Sequence, residues 1–510
     1  MLLFEMLRRA AARFPDKPAA IFPGDERLGY AELDRRSDAV AAYLHAQGIG
    51  PGDRVAILSD NLSPSLVYFW GILKSGAQNV DVPTLAAKAA MQGILDEAAP
   101  KAVVLDPKQH EKHAAEGGLN LPGLRLGWHD AADVTTLASI EGAHASSPAP
   151  SPNVTADDVA MIVYTSGTTG RPNGVMLSHE NFVSNLQASN ELMGLTDADS
   201  ILVVVPLYYI HGRMQLLLHT MLASTVVFSA GFSFPAKVHA ELCDSGVTGF
   251  SGVPYHFQQL LDRSKLAERP PENLQYVLIT GGALSPDGLR RLSEALPNVG
   301  IHLAYGQTEA APRITWIGPD ELFVKKGSVG RALPNVNLQI LGPDETPVGP
   351  NTVGEVAAGG PNIMKGYVSG DEVELGKIDD QGRLRTGDLG RIDEDGHLFL
   401  VGRSSEMIKS AGERIFPQEI EDVLSAHPAV HEVAVIGLPD PTLGERVVAY
   451  VITSPTEKVD RAELKSHCLQ ALPFVRVPRE FRFVDELPQT GSGKVSRKKL
   501  RQQAIEEADG

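Results

Sequence analysis

The stretch Tyr164–Ser178, YTSGTTGRPNGVMLS, decides how the rest of this chain is read. An apolar run, Val159–Val163, leads into it and has the composition of a buried strand. The strand empties into Thr165, Ser166, Gly167, Thr168, Thr169, Gly170 and, a little further on, Gly174. Glycines permit positive φ and close approach of a ligand, successive N–H groups form an anion nest, and Ser and Thr hydroxyls add rotatable donors. The combination reads as a polyphosphate loop. It is not a Walker A loop, because Gly174 is followed by Val175 where that motif needs Lys and then Ser or Thr. On these residues alone a Gly/Thr surface turn is the competing reading.

The totals narrow the classes. At 510 residues the chain is too long for one ordinary core, so two or more domains are expected. Apolar content of 43% and charged content of 21% fit a globular protein. A net charge of −17 argues against a general nucleic-acid or anionic-membrane surface, while leaving room for local basic sites. Cys243 and Cys468, the only cysteines, make neither a disulfide framework nor a zinc pattern, and a cytoplasmic location is expected. Leu2, Leu3, Met6, Leu7, Ala10, Ala11 and Phe14 recur at helical spacing around Glu5, Arg8 and Arg9, which describes an amphipathic helix rather than a signal peptide. Met214–Ala230 is the longest apolar stretch. It holds His219 and falls short of the roughly 20 residues that span a bilayer, so it is expected as a buried helix running into a strand.

Strands are expected at 19–22, 53–58 and 102–105, with helices at 30–47 and 64–75 between them. The alternation predicts a parallel sheet with helices on both faces. His144–Asn153, rich in Pro and Ser, reads as a flexible connection. The rhythm then resumes with a helix over 179–193, strands over 201–205, 225–229 and 247–251, and a helix over 236–245. Two apolar strands, 274–279 and 301–304, close on Thr280-Gly281-Gly282 and Tyr305-Gly306. Ligands bind beyond the carboxyl ends of such strands, so these loops and the phosphate loop are expected to share one crevice. After about residue 325, short Gly-punctuated runs suggest a β-rich subdomain, and an α+β pattern follows Arg403. The expected fold class is α/β. A large N-terminal domain, residues 1–403, has parallel and mixed sheets, flanking helices and the β-rich subdomain, and a small mobile α+β domain covers residues 404–510.

Three further motifs carry chemistry. In Tyr305-Gly306-Gln307-Thr308-Glu309 the carboxylate of Glu309 would face a polyphosphate, and a Mg²⁺ between the two anions removes the repulsion. In Arg385-Thr386-Gly387-Asp388 an ionised Asp is an acceptor for paired ribose hydroxyls, although taken alone a β-turn Asp is the preferred reading. In Thr490-Gly491-Ser492-Gly493-Lys494 a lysine sits on a small-residue loop, while Arg497, Lys498, Lys499 and Arg501 beside it give the look of a solvated basic tail.

Together, YTSGTTGRPNGV, GGA at 281–283, YGQTE, TGD and the terminal LPQTGSGKVSRKKL resemble the adenylate-forming superfamily of acyl-CoA synthetases, adenylation domains and luciferases. The resemblance runs from about residue 5 to 500 and is most like a stand-alone acyl-CoA synthetase. It implies that Thr165, Ser166, Gly167, Thr168, Thr169, Gly170 and Asn173 meet the phosphates, with Asn173 standing where relatives carry Lys. Gly281, Gly282, Ala283, Tyr305, Gly306, Gln307 and Thr308 would lie by the adenine, and Asp388 and Arg403 by the ribose. Glu309 and Thr169 would hold Mg²⁺, and Lys494, Glu309 and Thr165 would be catalytic. Glu406 takes the hinge position, and Lys409, Ser410, Ala411 and Gly412 resemble the loop lining a thiol channel. Tyr209 stands at the usual His of the family's Pro-Leu-aromatic-His motif. It is expected as a gate to an acyl pocket lined by Tyr208, His211, Val253, Tyr255, Gly281, Ala304, Ala310 and Arg313. Arg313 could pair a second carboxylate or a surface acid, and Gly231–Pro235 lacks the Asp that amino-acid-activating relatives use, which favours an acid without an α-amino group.

The implied activity is an AMP-forming acid–thiol ligase that uses ATP, Mg²⁺ and CoA on a carboxylic acid, without nucleic acid or a transmembrane segment. The alternatives are a ligase that passes the acyl group to an amine or a carrier-protein thiol, and a nucleotide-binding protein with impaired catalysis. A nicotinamide oxidoreductase is disfavoured, since no G-x-G-x-x-G opens a βαβ unit. Acid identity and oligomeric state are not specified by these motifs.

Overall fold

The computed structural model describes all residues except 116, 146, 148–149, 167–171, 283, 370–371, 455–458, 489–494 and 510. Among the described residues the chain builds two nine-stranded sheets, one four-stranded sheet and one five-stranded sheet.

At the centre of the first large sheet, parallel strands Thr225–Phe228, Ser200–Val203, Gly249–Gly252, Tyr276–Thr280 and Gly300–Gly306 lie side by side in that order. Antiparallel Arg313–Ile317 extends it beyond Gly300–Gly306. The second large sheet contains parallel Leu124–Gly127, Ala102–Leu105, Arg54–Leu58 and Gln78–Asp81, followed by Val159–Ser166. Ala102–Leu105 is buried throughout, as a strand covered on both faces must be. Val159–Ser166 turns back antiparallel as Pro172–Ser178. That return strand replaces the loop expected before helix His179–Met193. The pairing of Val163 with Val175 and Ile162 with Met176 buries apolar side chains that a loop would leave exposed.

Helices Ser63–Ser75, His179–Met193 and Ile210–Leu222 contribute to one apolar core that takes side chains from both large sheets. Every residue of Ser63–Ser75 except Pro64 is buried. Its Lys74 is neutralised by Asp34 and Asp38 at 2.5 and 2.6 Å. Arg213 on Ile210–Leu222 is likewise buried and reaches Asp81 at 2.7 Å. Uncompensated charges in such places cost several kcal/mol, on the order of 3–5 when one partner is removed.

The four-stranded antiparallel sheet runs Asn337–Leu341, Gly354–Gly359, Leu384–Ile392 and Leu398–Arg403. The last sheet is built from Ile408–Ser410, Glu413–Ile415, Val430–Asp440, Gly444–Thr453 and Glu480–Phe483, with helices Pro417–Ser425 and Arg461–Ala471. The protein is therefore mixed α/β, with a large N-terminal sheet domain and a smaller C-terminal one. Cys243 and Cys468 form no disulfide. No helix among the described residues is long and apolar enough to cross a membrane.

Candidate active site

Strands Gly249–Gly252, Tyr276–Thr280 and Gly300–Gly306 are neighbours, so Val253, Gly281-Gly282 and Tyr305-Gly306 emerge along one sheet edge. Gly306 must be glycine, because a Cβ there would meet the Pro312 carbonyl oxygen at 1.8 Å. Gly281 turns with φ +82°, and Gly282 lies against Pro254. Ala283 lies outside the described residues.

The adenosine candidates converge from three strands. The Tyr305 hydroxyl donates to Asp388 Oδ2 at 2.7 Å, and Arg403 Nε donates to Asp388 Oδ1 at 2.9 Å. Asp388 and Arg403 are cross-strand partners, and the Thr386 hydroxyl steadies the turn by accepting from the Asp388 N–H. Burial and the neighbouring Asp388 charge push the Tyr305 phenol well up, so it stays a donor. Asp388 is thus a fixed, buried carboxylate whose remaining lone pairs suit hydroxyl donors.

Glu309 sits on the short turn Thr308–Ala310, capped by Gln307. Its Oε1 accepts from the Tyr367 hydroxyl at 2.6 Å and from Lys377 Nζ at 3.1 Å. The Met364 N–H donates to the Glu309 carbonyl while the Lys365 N–H donates to Met176 on the strand Pro172–Ser178, which locks the turn beside the phosphate hairpin. A Mg²⁺ fits this donor set. Magnesium characteristically takes one or two carboxylates together with substrate phosphates and water, and Glu309 is one such carboxylate. Lys377 already supplies a cation to the same oxygen.

Of the phosphate hairpin, Thr165 and Asn173 pair across the strands, and the Thr165 hydroxyl donates to the Asn173 carbonyl at 3.5 Å. Ser166 ends the strand opposite Pro172. Gly167, Thr168, Thr169, Gly170 and Arg171 lie outside the described residues, as does Lys494. Gly174 is corrected: it belongs to the strand, not to the loop. A Cβ there would come within 2.9 Å of the Tyr164 ring that covers it.

The acyl candidates divide. Tyr209 caps helix Ile210–Leu222, and His211 on the first turn bonds the Ser251 hydroxyl at 2.8 Å. Gln215, one turn on, donates to the same hydroxyl at 3.2 Å. Val253, Ala304, Ala310 and Arg313 are buried. Tyr208 instead lines a cavity of about 10 Å³ on the Asp81–Arg213 side, and Tyr255 is 37% exposed with its ring edge-on to Phe232.

At the junction of the sheets, Glu406 accepts from Arg497 Nη1 at 2.8 Å, while Arg497 Nη2 reaches buried Glu421 at 2.5 Å. Burial raises the Glu421 carboxyl, against the pull of Arg497. Arg497 is therefore an internal ion-pair residue and not part of a solvated tail. Lys409 and Ser410 continue into Ala411 and Gly412, a two-residue hairpin turn with φ +51° and +83°. The Lys409 N–H donates to Glu445, and no bond among the described residues joins this turn to Glu309 or Asp388. Tyr367, Lys377, Ser251 and Arg497 escaped sequence reasoning. Only Arg497 left a trace there, in the motif that also contains Lys494.

Comparison with known proteins gives the family. Residues 7–368 match the AMP-binding enzyme family, and residues 419–494 match the AMP-binding enzyme C-terminal domain. The chain is 32% identical to a sulfoacetate–CoA ligase of Cupriavidus necator, covering 96% of this chain and 95% of the relative. It is 33% identical to a feruloyl-CoA synthase of Amycolatopsis sp, covering 96% of both. The ATP-bound structure of MatB from Rhodopseudomonas palustris superposes with a TM-score of 0.86 at 28% identity over 99% of each chain. The acid–thiol ligase expectation agrees with these ligase and synthase relatives, and the chain belongs to the family of AMP-binding enzymes.

Proposed function

We propose that this protein is an ATP-dependent acyl-CoA or aryl-CoA synthetase, acting in the cytoplasm on a carboxylic acid without an α-amino group. The observation that carries the reading is the pairing of a fixed ribose acceptor, Asp388 held by Tyr305 and Arg403, with a second ordered carboxylate, Glu309, beside the phosphate hairpin. The named CoA ligases and synthases among its relatives support CoA as the acceptor.

In this reading the acid's carboxylate attacks the α-phosphate of ATP, giving an acyl-adenylate and pyrophosphate, and a thiol then displaces AMP. Asp388 and Arg403 orient the ribose, and Tyr305 packs by the adenine. Lys494 and the donors of the loop after Thr165 stabilise charge developing on the α-phosphate, and closure of the crevice excludes water from the adenylate. Glu309, with Thr169, would hold a Mg²⁺ that neutralises phosphate charge. Residues 1–403 and 404–510 act as two bodies. Rotation near Glu406 withdraws Lys494 and presents the turn at Lys409–Gly412 to the thiol.

The test is pyrophosphate release from ATP across a panel of acids, with and without CoA. Acid-dependent release yielding acyl-CoA is expected. Release without CoA consumption would transfer the reading to an amine or carrier-protein acceptor. Absence of release with every acid, in protein that binds ATP, would leave a binding protein.

A further inference from the structure

Among the buried cations of the described residues, Arg313 is the one with no ion-pair partner. It begins the strand Arg313–Ile317 directly opposite Gly306, on the same sheet edge as Tyr305. Its residue is 3% exposed. Its guanidinium carbon lies 5.4 Å from the centroid of the Trp316 ring, and Nη1 is buried with no hydrogen-bond partner among the described residues. No carboxylate of the described residues forms an ion pair with it, whereas Lys74 and Arg213 each have one or two. Burial alone lowers its pKa to about 10, so the guanidinium remains charged at neutral pH.

The polar groups around it are already committed or uncharged. The Tyr276 hydroxyl meets His219 Nε2 at 3.3 Å, and His219 Nδ1 meets the Ser224 hydroxyl at 2.6 Å. Burial holds His219 neutral, with its pKa lowered to about 3. His219 shares one face of helix Ile210–Leu222 with His211 and Gln215, which bond Ser251 on the neighbouring sheet. A polar face thus runs along this helix towards Arg313; its His219 is held neutral by burial, and the Asp199 carboxylate that acts on His219 and Tyr276 is itself engaged by Thr196 and Thr248 rather than by Arg313. A buried guanidinium with an open donor is the recognition element for a planar or tetrahedral oxyanion.

We propose that Arg313 selects the acid, by binding a second anionic group, a carboxylate or sulfonate, at the end of the acyl substrate remote from the carboxylate that is activated. The proposal rests on the acid-activating reading above. It predicts that acids lacking the second group leave a buried charge unmet and are poor substrates.

The experiment is ATP–pyrophosphate exchange by the full chain with matched acids: succinate against butyrate, adipate against hexanoate, terephthalate against benzoate, and a sulfonate analogue of each dicarboxylate. The wild type is expected to prefer the doubly anionic member of at least one pair by about 10²-fold or more in kcat/KM, the scale for leaving a buried charge unpaired. Arg313→Met is expected to lose that preference mainly through KM, to leave the monoanionic partner within a few-fold, and to unfold at an unchanged or higher temperature. Arg313→Lys is expected to restore part of the preference. Exchange with only the monoanionic member of every pair would overturn the proposal and leave the acid-activating reading standing. Equal loss on both members in Arg313→Met, with a lowered Tm and no rescue by Lys, would overturn it in favour of a packing role. Exchange with no acid at all would overturn both.

Discussion

At the proposed adenosine end both carboxylates are met: Asp388 by Tyr305 and Arg403, Glu309 by Tyr367 and Lys377. At the proposed acyl end the buried cation Arg313 has an aromatic face and no ion-pair partner among the described residues. A nucleotide is a constant ligand, and groups that bind it are best ordered beforehand, since reorganisation during reaction is then avoided. An unpaired buried cation instead discriminates, since it favours ligands that bring an anion over those that do not. Lys74 and Arg213 calibrate the contrast, because each buried cation away from the crevice is neutralised within the fold.

Four perturbations test or refine this division. The largest effect is expected between the two ends. Lys494→Ala should slow adenylation by about 10²–10³-fold or more while affecting thioester formation from a supplied adenylate less. Equal loss in both half-reactions would remove the lysine from the first. Next, Asp388→Ala should weaken ATP binding by about 10²-fold, since Arg403 and Tyr305 lose their shared acceptor. Ranking of acids should stay as in the wild type, and a changed ranking in exchange assays would break the separation of the two ends.

A smaller effect concerns the buried imidazoles. Burial lowers His179, His256 and His302 to about 4 and His219 to about 3. Below the unfolded value near 6.5 the unfolded chain binds protons that the native chain does not, so their stabilisation is complete above that pH and declines on acidification towards 3–4. Each fully titrating group contributes a slope of about 1.4 kcal/mol per pH unit. Urea midpoints at pH 7.5 and 5.5 should fall in that order, and equal midpoints would show that these rings are hydrated. The smallest effect is expected from Asn173→Lys, a few-fold lower KM for ATP. An unchanged KM would mean that the side chain does not reach the phosphates.

The meeting of Tyr305, Asp388 and Arg403 was foreshadowed in sequence because each of their motifs is short and contiguous, and strands deliver motif ends to one place. Glu309 was legible but its partners were not. Tyr367 and Lys377 lie 58 and 68 residues further on, where no periodicity or spacing links them to it. Gly174 misled because a glycine under a tyrosine ring and a glycine in a phosphate nest look alike in a string of letters. Tyr208 and Tyr209 are adjacent in sequence and their rings lie 4.7 Å apart, so their letters alone do not separate their surroundings, and Tyr208 also lines the small cavity beside Asp81 and Arg213. The pairing state of Arg313 could not be read at all, since it depends on what every surrounding element fails to provide.

The ion pairs of Arg497 set a short leash. Ser496 N–H donates to the Pro488 carbonyl at 2.7 Å, Val495 packs against the apolar cluster of the C-terminal sheet, and Arg497 grips Glu406 and Glu421. Lys494 is the next residue along, about 3.8 Å from Val495 from one Cα to the next. One guanidinium thus joins the helix that follows residue 496 both to Glu406, just beyond the last strand of the four-stranded sheet, and to Glu421 on helix Pro417–Ser425, so losing Arg497 would loosen two elements at once.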